Sequence, residues 1–284
     1  MSVGPLQNVK PSTSVSSDVA GRSCLDAMEH FVQGLIRGFP YAVLRSESNF
    51  NIMWSYTPTI FLNVISIKET PRDENSFEDM IKEVIRLLLR LDTANQGGVL
   101  YFDITTVRTR FSEEYVKTVM MRYNVQPVIS LNITTIYNGT GDLKPQIFTQ
   151  IKRIQTEQDI HVIFKLLSSS VSVDYDVALD LRRTAEFHKN ECIGFLGYVG
   201  DLAVSGCVAM ARNDSIHIFN LITATGLRRR SYGTTILKYT MAAAVKLTGI
   251  RRFRAIASEN AMGIFHQLGF RADGSTVLGI LNYD

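Results

Sequence analysis

The sequence predicts an α/β chain built as two successive units, and three observations carry that prediction. Strand-like apolar runs alternate with stretches of apolar residues at helical spacing along the whole chain. A turn cluster, Asn138-Gly139-Thr140-Gly141-Asp142, interrupts this alternation near its middle. The length, 284 residues, corresponds to about two domains. An apolar fraction of 45% lets each half bury a core.

Residues 1–22 are polar and rich in serine, and read as a disordered tail before units at 23–141 and 142–284. In the first unit, Leu25, Met28, Phe31, Val32, Leu35 and Ile36 recur at helical spacing. Strand-like runs follow at Tyr41–Arg45, Asn51–Tyr56 and Thr59–Ile67. Ser76 caps a helix to about Leu91, with Phe77, Met80, Ile81, Val84, Ile85, Leu88 and Leu89 on one face. Strand Val99–Ile104, a helix from Ser112 to Tyr123 and strand Pro127–Ile136 complete the unit. Trp54, the only tryptophan, reads as a packing residue, with a substrate pocket between the halves as the rarer reading.

The second unit opens on strand Gln146–Ile154 and a helix over Glu157–Leu167 capped by Thr156. Asp159 stands where a capping box has Glu or Gln, so the box is expected to be incomplete. A second helix is expected at Tyr175–Lys189. Strands Cys192–Val199, Ala203–Arg212 and Ser215–Ala224 are joined by the tight turns Gly200-Asp201 and Asn213-Asp214. A basic turn then leads into a long helix that Gly249 stops. Strand Phe253–Ala257, helix Asn260–Leu268, a short strand near Phe270–Ala272 and strand Thr276–Asn282 close the chain.

Composition narrows the function classes. A net charge of +3 gives no global reason to expect a nucleic-acid or membrane partner. Cys24, Cys192 and Cys207 form no CxxC pair and have no histidine at metal spacing, so no metal is expected. They read as buried thiols of a reducing compartment. No secretory h-region and no apolar run long enough to span a bilayer is present. A cytoplasmic location is expected, with a nuclear one as the alternative.

The chemistry concentrates in Thr225-Gly226-Leu227-Arg228-Arg229-Arg230-Ser231-Tyr232-Gly233-Thr234-Thr235. A strand enters this turn and an apolar helix leaves it. The first turn of a helix presents N–H groups without internal partners and the positive end of the dipole. Small residues admit phosphate oxygens to those groups, and arginines add charge-assisted bonds. Taken alone, the turn reads equally as a pyrophosphate cradle or as a solvated basic turn.

About 30 residues further on comes Ser258-Glu259-Asn260-Ala261-Met262-Gly263-Ile264-Phe265-His266-Gln267-Leu268-Gly269-Phe270. With the element order, the two motifs make residues 146–284 resemble the GNAT N-acetyltransferase superfamily. That family's loop reads Arg/Gln-x-x-Gly-x-Gly/Ala, which Arg228 to Gly233 matches except at Ser231. Leu268-Gly269-Phe270 matches its later motif. The resemblance implies a mixed, mostly antiparallel sheet flanked by helices. It implies acetyl-CoA as co-substrate and an amine acceptor, either a small molecule or a protein. The N–H groups from Arg229 to Thr234 would hold the pyrophosphate beside Arg228 and Arg230. Leu221, Ile222 and Thr223 would line the pantetheine slot, with the Thr223 N–H polarising the thioester carbonyl. His217 stands where one branch of the family has a base glutamate, and period-two alternation would put it on one face with Phe219, Leu221 and Thr223. A strand histidine without a catalytic role is the plainer reading.

The sequence also departs from the family. Phe265 replaces the usual general-acid tyrosine. Ser258 falls where the motif has asparagine, although Asn260 is close. Ser231 replaces the first glycine of the loop, although a serine can cap the helix. The first unit follows the same trace as a degenerate copy, but its corresponding loop, Glu69 to Asn75, is acidic and contains Pro71, so no cofactor is expected there. The Arg251-Arg252-x-Arg254 cluster and the Arg182-Arg183 pair read as solvated faces. Three functional readings stand: an acetyl-CoA N-acetyltransferase, a CoA-binding protein without turnover, and a nucleic-acid module. The modest charge speaks against the last.

Overall fold

The computed structural model describes residues 17–37, 39, 41–56, 63–68, 71, 73–91, 99–103, 111–136, 147–171 and 190–281. The first part of the chain forms α1 (Ser17–Ile36), β1 (Val43–Ser46), β2 (Phe50–Trp54), β3 (Asn63–Ile67), α2 (Glu74–Leu91), β4 (Val99–Asp103), α3 (Glu113–Arg122) and β5 (Val125–Ile136). The second forms β6 (Gln150–Arg153), α4 (Glu157–Val171), β7 (Cys192–Val199), β8 (Leu202–Arg212), β9 (Ser215–Ile218), β10 (Ile222–Thr223), a 3-10 turn (Thr225–Leu227), α5 (Tyr232–Thr248), β11 (Phe253–Ala257), α6 (Glu259–Gln267) and β12 (Arg271–Leu281).

The described strands join one twelve-stranded sheet in the order β1-β2-β3-β4-β12-β5-β11-β9-β8-β7-β6, with β10 attached to β8. The element order repeats. In each half two antiparallel strands lead to a helix, and the strand after that helix returns parallel to the one before it: β4 beside β3, β11 beside β9. The halves then exchange their final strands. β5 runs antiparallel to β11, and β12 runs antiparallel to β4. β5 and β12 pair with each other along almost their whole length, from Arg271↔Thr135 to Leu281↔Val125. The two sequence units therefore share a single sheet. The turn cluster at 138–142, where the sequence divides, lies outside the described residues.

One face of the sheet carries α1 and α4, and the other carries α2 and α3 over the first half and α5 and α6 over the second. α1 crosses the seam. Phe31, Val32 and Leu35 share a core with Met53 and Val64 of the first half and with Val208, Met210 and Ile222 of the second. It is tied to the first half by Glu29, which accepts hydrogen bonds from Asn51 Nδ2 at 2.8 Å and from the Ser66 hydroxyl.

Several expectations are corrected in detail. α1 begins at Ser17, so residues 17–22 of the expected tail are helical. α2 begins at Glu74 and its cap is Asp73, not Ser76: the Ser76 N–H donates to Asp73 Oδ1 at 2.8 Å. The capping box of α4 is complete despite its shorter acid. Thr156 N–H donates to Asp159 Oδ2 at 3.0 Å and Asp159 N–H donates back to Thr156 Oγ1 at 3.2 Å. Burial raises the Asp159 carboxyl, but the Lys152 ammonium and the Thr156 bonds outweigh it and hold the group below its usual range. The two strands expected at the C-terminus are one, β12, with register shifts at Ala272/Gly274 and Leu278/Gly279. Trp54 is 0% exposed and packs under α2 and α3. Arg254, expected on a solvated face, is buried in the sheet, and Arg252 pairs with Asp214. The expected helix at 175–189 and the Arg182-Arg183 pair lie outside the described residues. Among the described residues no helix is long and apolar enough to cross a membrane.

Candidate functional site

The strand entering the basic turn is broken in two by a bulge. Ile218 of β9 pairs with Ala209 of β8, whereas Ile222 of β10 pairs with Gly206. Between them two residues face one. The Phe219 N–H donates to Val208 O at 2.8 Å, and the Val208 N–H donates to Asn220 O at 3.3 Å. A one-residue shift flips every later side chain to the other face. His217 and Phe219 therefore face α1 and α4 together with Ile222, while Leu221 and Thr223 face α5. This corrects the single face expected for His217, Phe219, Leu221 and Thr223.

The sheet also splits here. Parallel pairing of β9 with β11 ends at Ile218↔Ala255. Beyond it β11 stays with β5 as far as Ala257↔Asn132, and β10 stays with β8. A gap opens between β10 and β11, and Leu221, Ile222 and Thr223 form its β10 edge. The Ala224 N–H donates to Val204 O at 3.0 Å. Antiparallel alternation then directs the Thr223 N–H to the opposite side, toward the gap.

At the mouth of the gap the chain makes the 3-10 turn, anchored to the end of α4 by a hydrogen bond from Thr225 Oγ1 to Ser169 O at 3.2 Å. Arg228, Arg229, Arg230 and Ser231 are exposed. Arg229 and Ser231 take left-handed backbone angles, φ 62° and 64°. Such residues turn successive N–H groups into a concave, anion-seeking surface. For a residue with a side chain the conformation costs about 1 kcal/mol. Ser231 is the N-cap of α5, but its side chain makes no cap bond, which corrects the capping expected of it. The first helical bond runs from Thr235 N–H to Ser231 O at 3.0 Å, so the N–H groups of Tyr232, Gly233 and Thr234 have no acceptor within the helix. Gly233 allows α5 to come close: a Cβ there would lie 3.1 Å from Thr223 Oγ1 and 3.4 Å from Ile264 Cδ1. The Tyr232 ring packs 5.5 Å from that of Phe148.

The remaining expected site residues are placed differently. His217 is 3% exposed, and its Nε2 has no hydrogen-bond partner among the described residues. Burial, reinforced by the Arg254 charge, pushes its pKa down to about 3. That state weakens it as a base near neutrality. Phe265 is 2% exposed and packs edge-on against Phe270, 5.0 Å between ring centroids, so it serves the core under α5 and α6. Ser258 caps α6 without a side-chain bond, and Asn260 is exposed on the first turn of that helix. Among the described residues no group of three or more His, Cys, Asp or Glu is placed to hold a metal.

Two residues were not assigned a place in the site from the sequence. Phe219, at the bulge, stacks on Phe31 of α1 with centroids 4.4 Å apart and rings 9° from parallel. Ser205 of β8 donates to Ile222 O at 2.6 Å and lies 3.0 Å from Thr223 Oγ1. The available signal was a hydroxyl in the otherwise apolar row Ser205, Cys207, Ala209.

Comparison with known proteins agrees with this geometry. The family model for the acetyltransferase (GNAT) domain matches residues 180–279. No curated protein matches the chain. Among solved structures, a GCN5-related N-acetyltransferase from Kribbella flavida is 12% identical, with 95% of this chain and 98% of that chain covered and a TM-score of 0.66. One from Sphaerobacter thermophilus is 11% identical over 94% of this chain and 93% of that one, with a TM-score of 0.57. A tandem GNAT protein from the clavulanic acid biosynthesis pathway is 9% identical over 94% and 96%, with a TM-score of 0.54. At these identities the likeness is one of fold, and it runs through both halves. The bulge and the split sheet fall within the residues that the GNAT domain model matches, 180–279, and both halves of the chain share the fold of these solved structures.

Proposed function

We propose that the second half binds acetyl-CoA at Arg228 to Thr234 and transfers the acetyl group to an amine. The observation that carries this reading is the gap between β10 and β11, with the uncapped N-terminus of α5 at its mouth. The arginines and the N–H groups of Tyr232, Gly233 and Thr234 would hold the pyrophosphate, while Leu221 and Ile222 flank the pantetheine arm. The thioester supplies the acyl group and a thiolate leaving group. The Thr223 N–H, directed into the gap, would polarise its carbonyl. The amine would attack that carbon and lose its proton to water, since His217 is too weak a base at neutral pH. The acceptor is an amine of a small molecule or a protein.

The test is calorimetric titration with acetyl-CoA, alongside thiol release in the presence of amines. The wild-type protein is expected to bind in the micromolar range. Arg228→Glu/Arg230→Glu is expected to weaken binding roughly a hundredfold, as two lost charge-assisted contacts imply. Absence of wild-type binding would overturn the reading. The buried Phe265, in place of a tyrosine, favours a second reading: a CoA-binding protein without turnover. It would show the same titration with no thiol release for any acceptor.

A further inference from the structure

β10 is the weakest point of the candidate site. It is two residues long, and among the described strands β8 pairs with it while β11 does not. A strand end held on one side frays easily. Yet the Thr223 N–H acts on a thioester carbonyl only if this segment is held still, because a donor misplaced by about 1 Å loses most of its effect.

Ser205 is placed to add a side-chain restraint from β8. It lies on the α5 face of β8, in line with Cys207 and Ala209, and is 0% exposed. A hydroxyl buried in an apolar row costs stability unless it is bonded. Its proton goes to Ile222 O at 2.6 Å, so the Ser205 oxygen accepts from the Thr223 hydroxyl at 3.0 Å. One side chain thus grips both residues of β10, through the carbonyl of the first and the hydroxyl of the second. Ile222 O also belongs to the peptide group whose N–H is that of Thr223, so fixing this carbonyl fixes the direction of the N–H. The Thr223 hydroxyl is in turn confined by the first turn of α5 at Gly233. Ser205 therefore links the thioester end of the gap to the phosphate end.

We propose that Ser205 is a positioning residue of the acyl-transfer site, orienting the peptide group between Ile222 and Thr223 toward the thioester carbonyl. This inference rests on the assignment of the gap as the thioester site. It makes no contact with substrate, and it differs from a packing role in acting on carbonyl polarisation.

The experiment compares the wild-type full chain with Ser205→Cys and Ser205→Ala, using acetyl-CoA carrying a carbon-13 label at the thioester carbonyl. Isotope-edited infrared spectra of the bound thioester report polarisation directly, with no acceptor required. A shift of the carbonyl band to lower frequency is expected in the wild-type protein, reduced in Ser205→Cys and lost in Ser205→Ala. Acetyl-CoA affinity is expected to change by less than about twofold. Thiol release, where an acceptor is found, is expected to fall roughly tenfold in Ser205→Ala, below the loss of an entire oxyanion donor. A full wild-type shift retained in Ser205→Ala would overturn the positioning role and leave the proposed function standing. Loss of affinity and thermal stability in parallel with the shift would also overturn it, by making Ser205 a packing residue. No band shift on wild-type binding, or no binding, would overturn the thioester site itself and this inference with it.

Discussion

The two halves start the helix that links their parallel strands in opposite ways. In the first, Asp73 places a carboxylate on the N-terminus of α2, accepting from Ser76 N–H at 2.8 Å, and these bonds hold the carboxyl below its usual range. In the second, Ser231 sits in a left-handed conformation at the N-terminus of α5, bonds to no helical N–H, and follows three exposed arginines. The same fold position is filled by an internal anion in one half and has no side-chain cap in the other. Under the proposed function, a single capping acid separates a structural helix start from an anion site.

That contrast can be broken most sharply with Ser231→Asp. A carboxylate in the cradle is expected to lower acetyl-CoA affinity roughly a hundredfold through like-charge juxtaposition, measured by calorimetry. The contrast extends to acid sensitivity. On the face under α1, β3 places Val64 and Ser66, whereas β9 places His217. His217 has its pKa lowered from 6.5 to about 3, first by burial and then by Arg254. The unfolded chain takes up the proton below about pH 6.5 and the folded one resists it to about pH 3. Stability should therefore be full above pH 6.5 and fall below it, by at most about 1.4 kcal/mol per pH unit. Denaturant midpoints of His217→Gln across this window should lose that slope, and thiol release at neutral pH should be unaffected. Ser231→Gly sharpens the comparison in the other direction. Relief of the left-handed conformation is expected to stabilise by about 1 kcal/mol with acetyl-CoA affinity kept. The smallest effect belongs to Asp73→Ala: a modest fall in melting temperature, with acetyl-CoA binding unchanged.

Local physics was legible in the sequence. The spans Cys192–Val199 and Phe253–Ala257, the helix stopped at Gly249 and the basic turn itself follow from apolar runs and turn residues, and the structure places them there. The bulge was not legible. Period-two reading assumes an uninterrupted ladder, and nothing in Phe219-Asn220 announces that both face Val208. It misplaced Leu221 and Thr223 for that reason. The burial of His217 was hidden because α1, which packs on its face of the sheet, comes from almost two hundred residues away. Asp159 was undervalued because its shorter side chain still reaches the Thr156 N–H, while Lys152 pairs with its other oxygen. The exchange of β5 and β12 was hidden for the same reason: sheet neighbours are chosen by edges that only the complete fold brings together.

That exchange bears on how the chain is made. A ribosome that has released the first 140 residues has produced β4 and β5, but β12, the strand that joins them, is among the last to emerge. The nascent first half must wait with the edges of β4 and β5 open, and open edges invite pairing with other chains. Folding from the N-terminus forward is therefore not available to this protein. A stop codon that removes β12 would strand the first half's sheet rather than merely shorten the second, and the product is expected to aggregate or be degraded instead of persisting as a stable N-terminal unit.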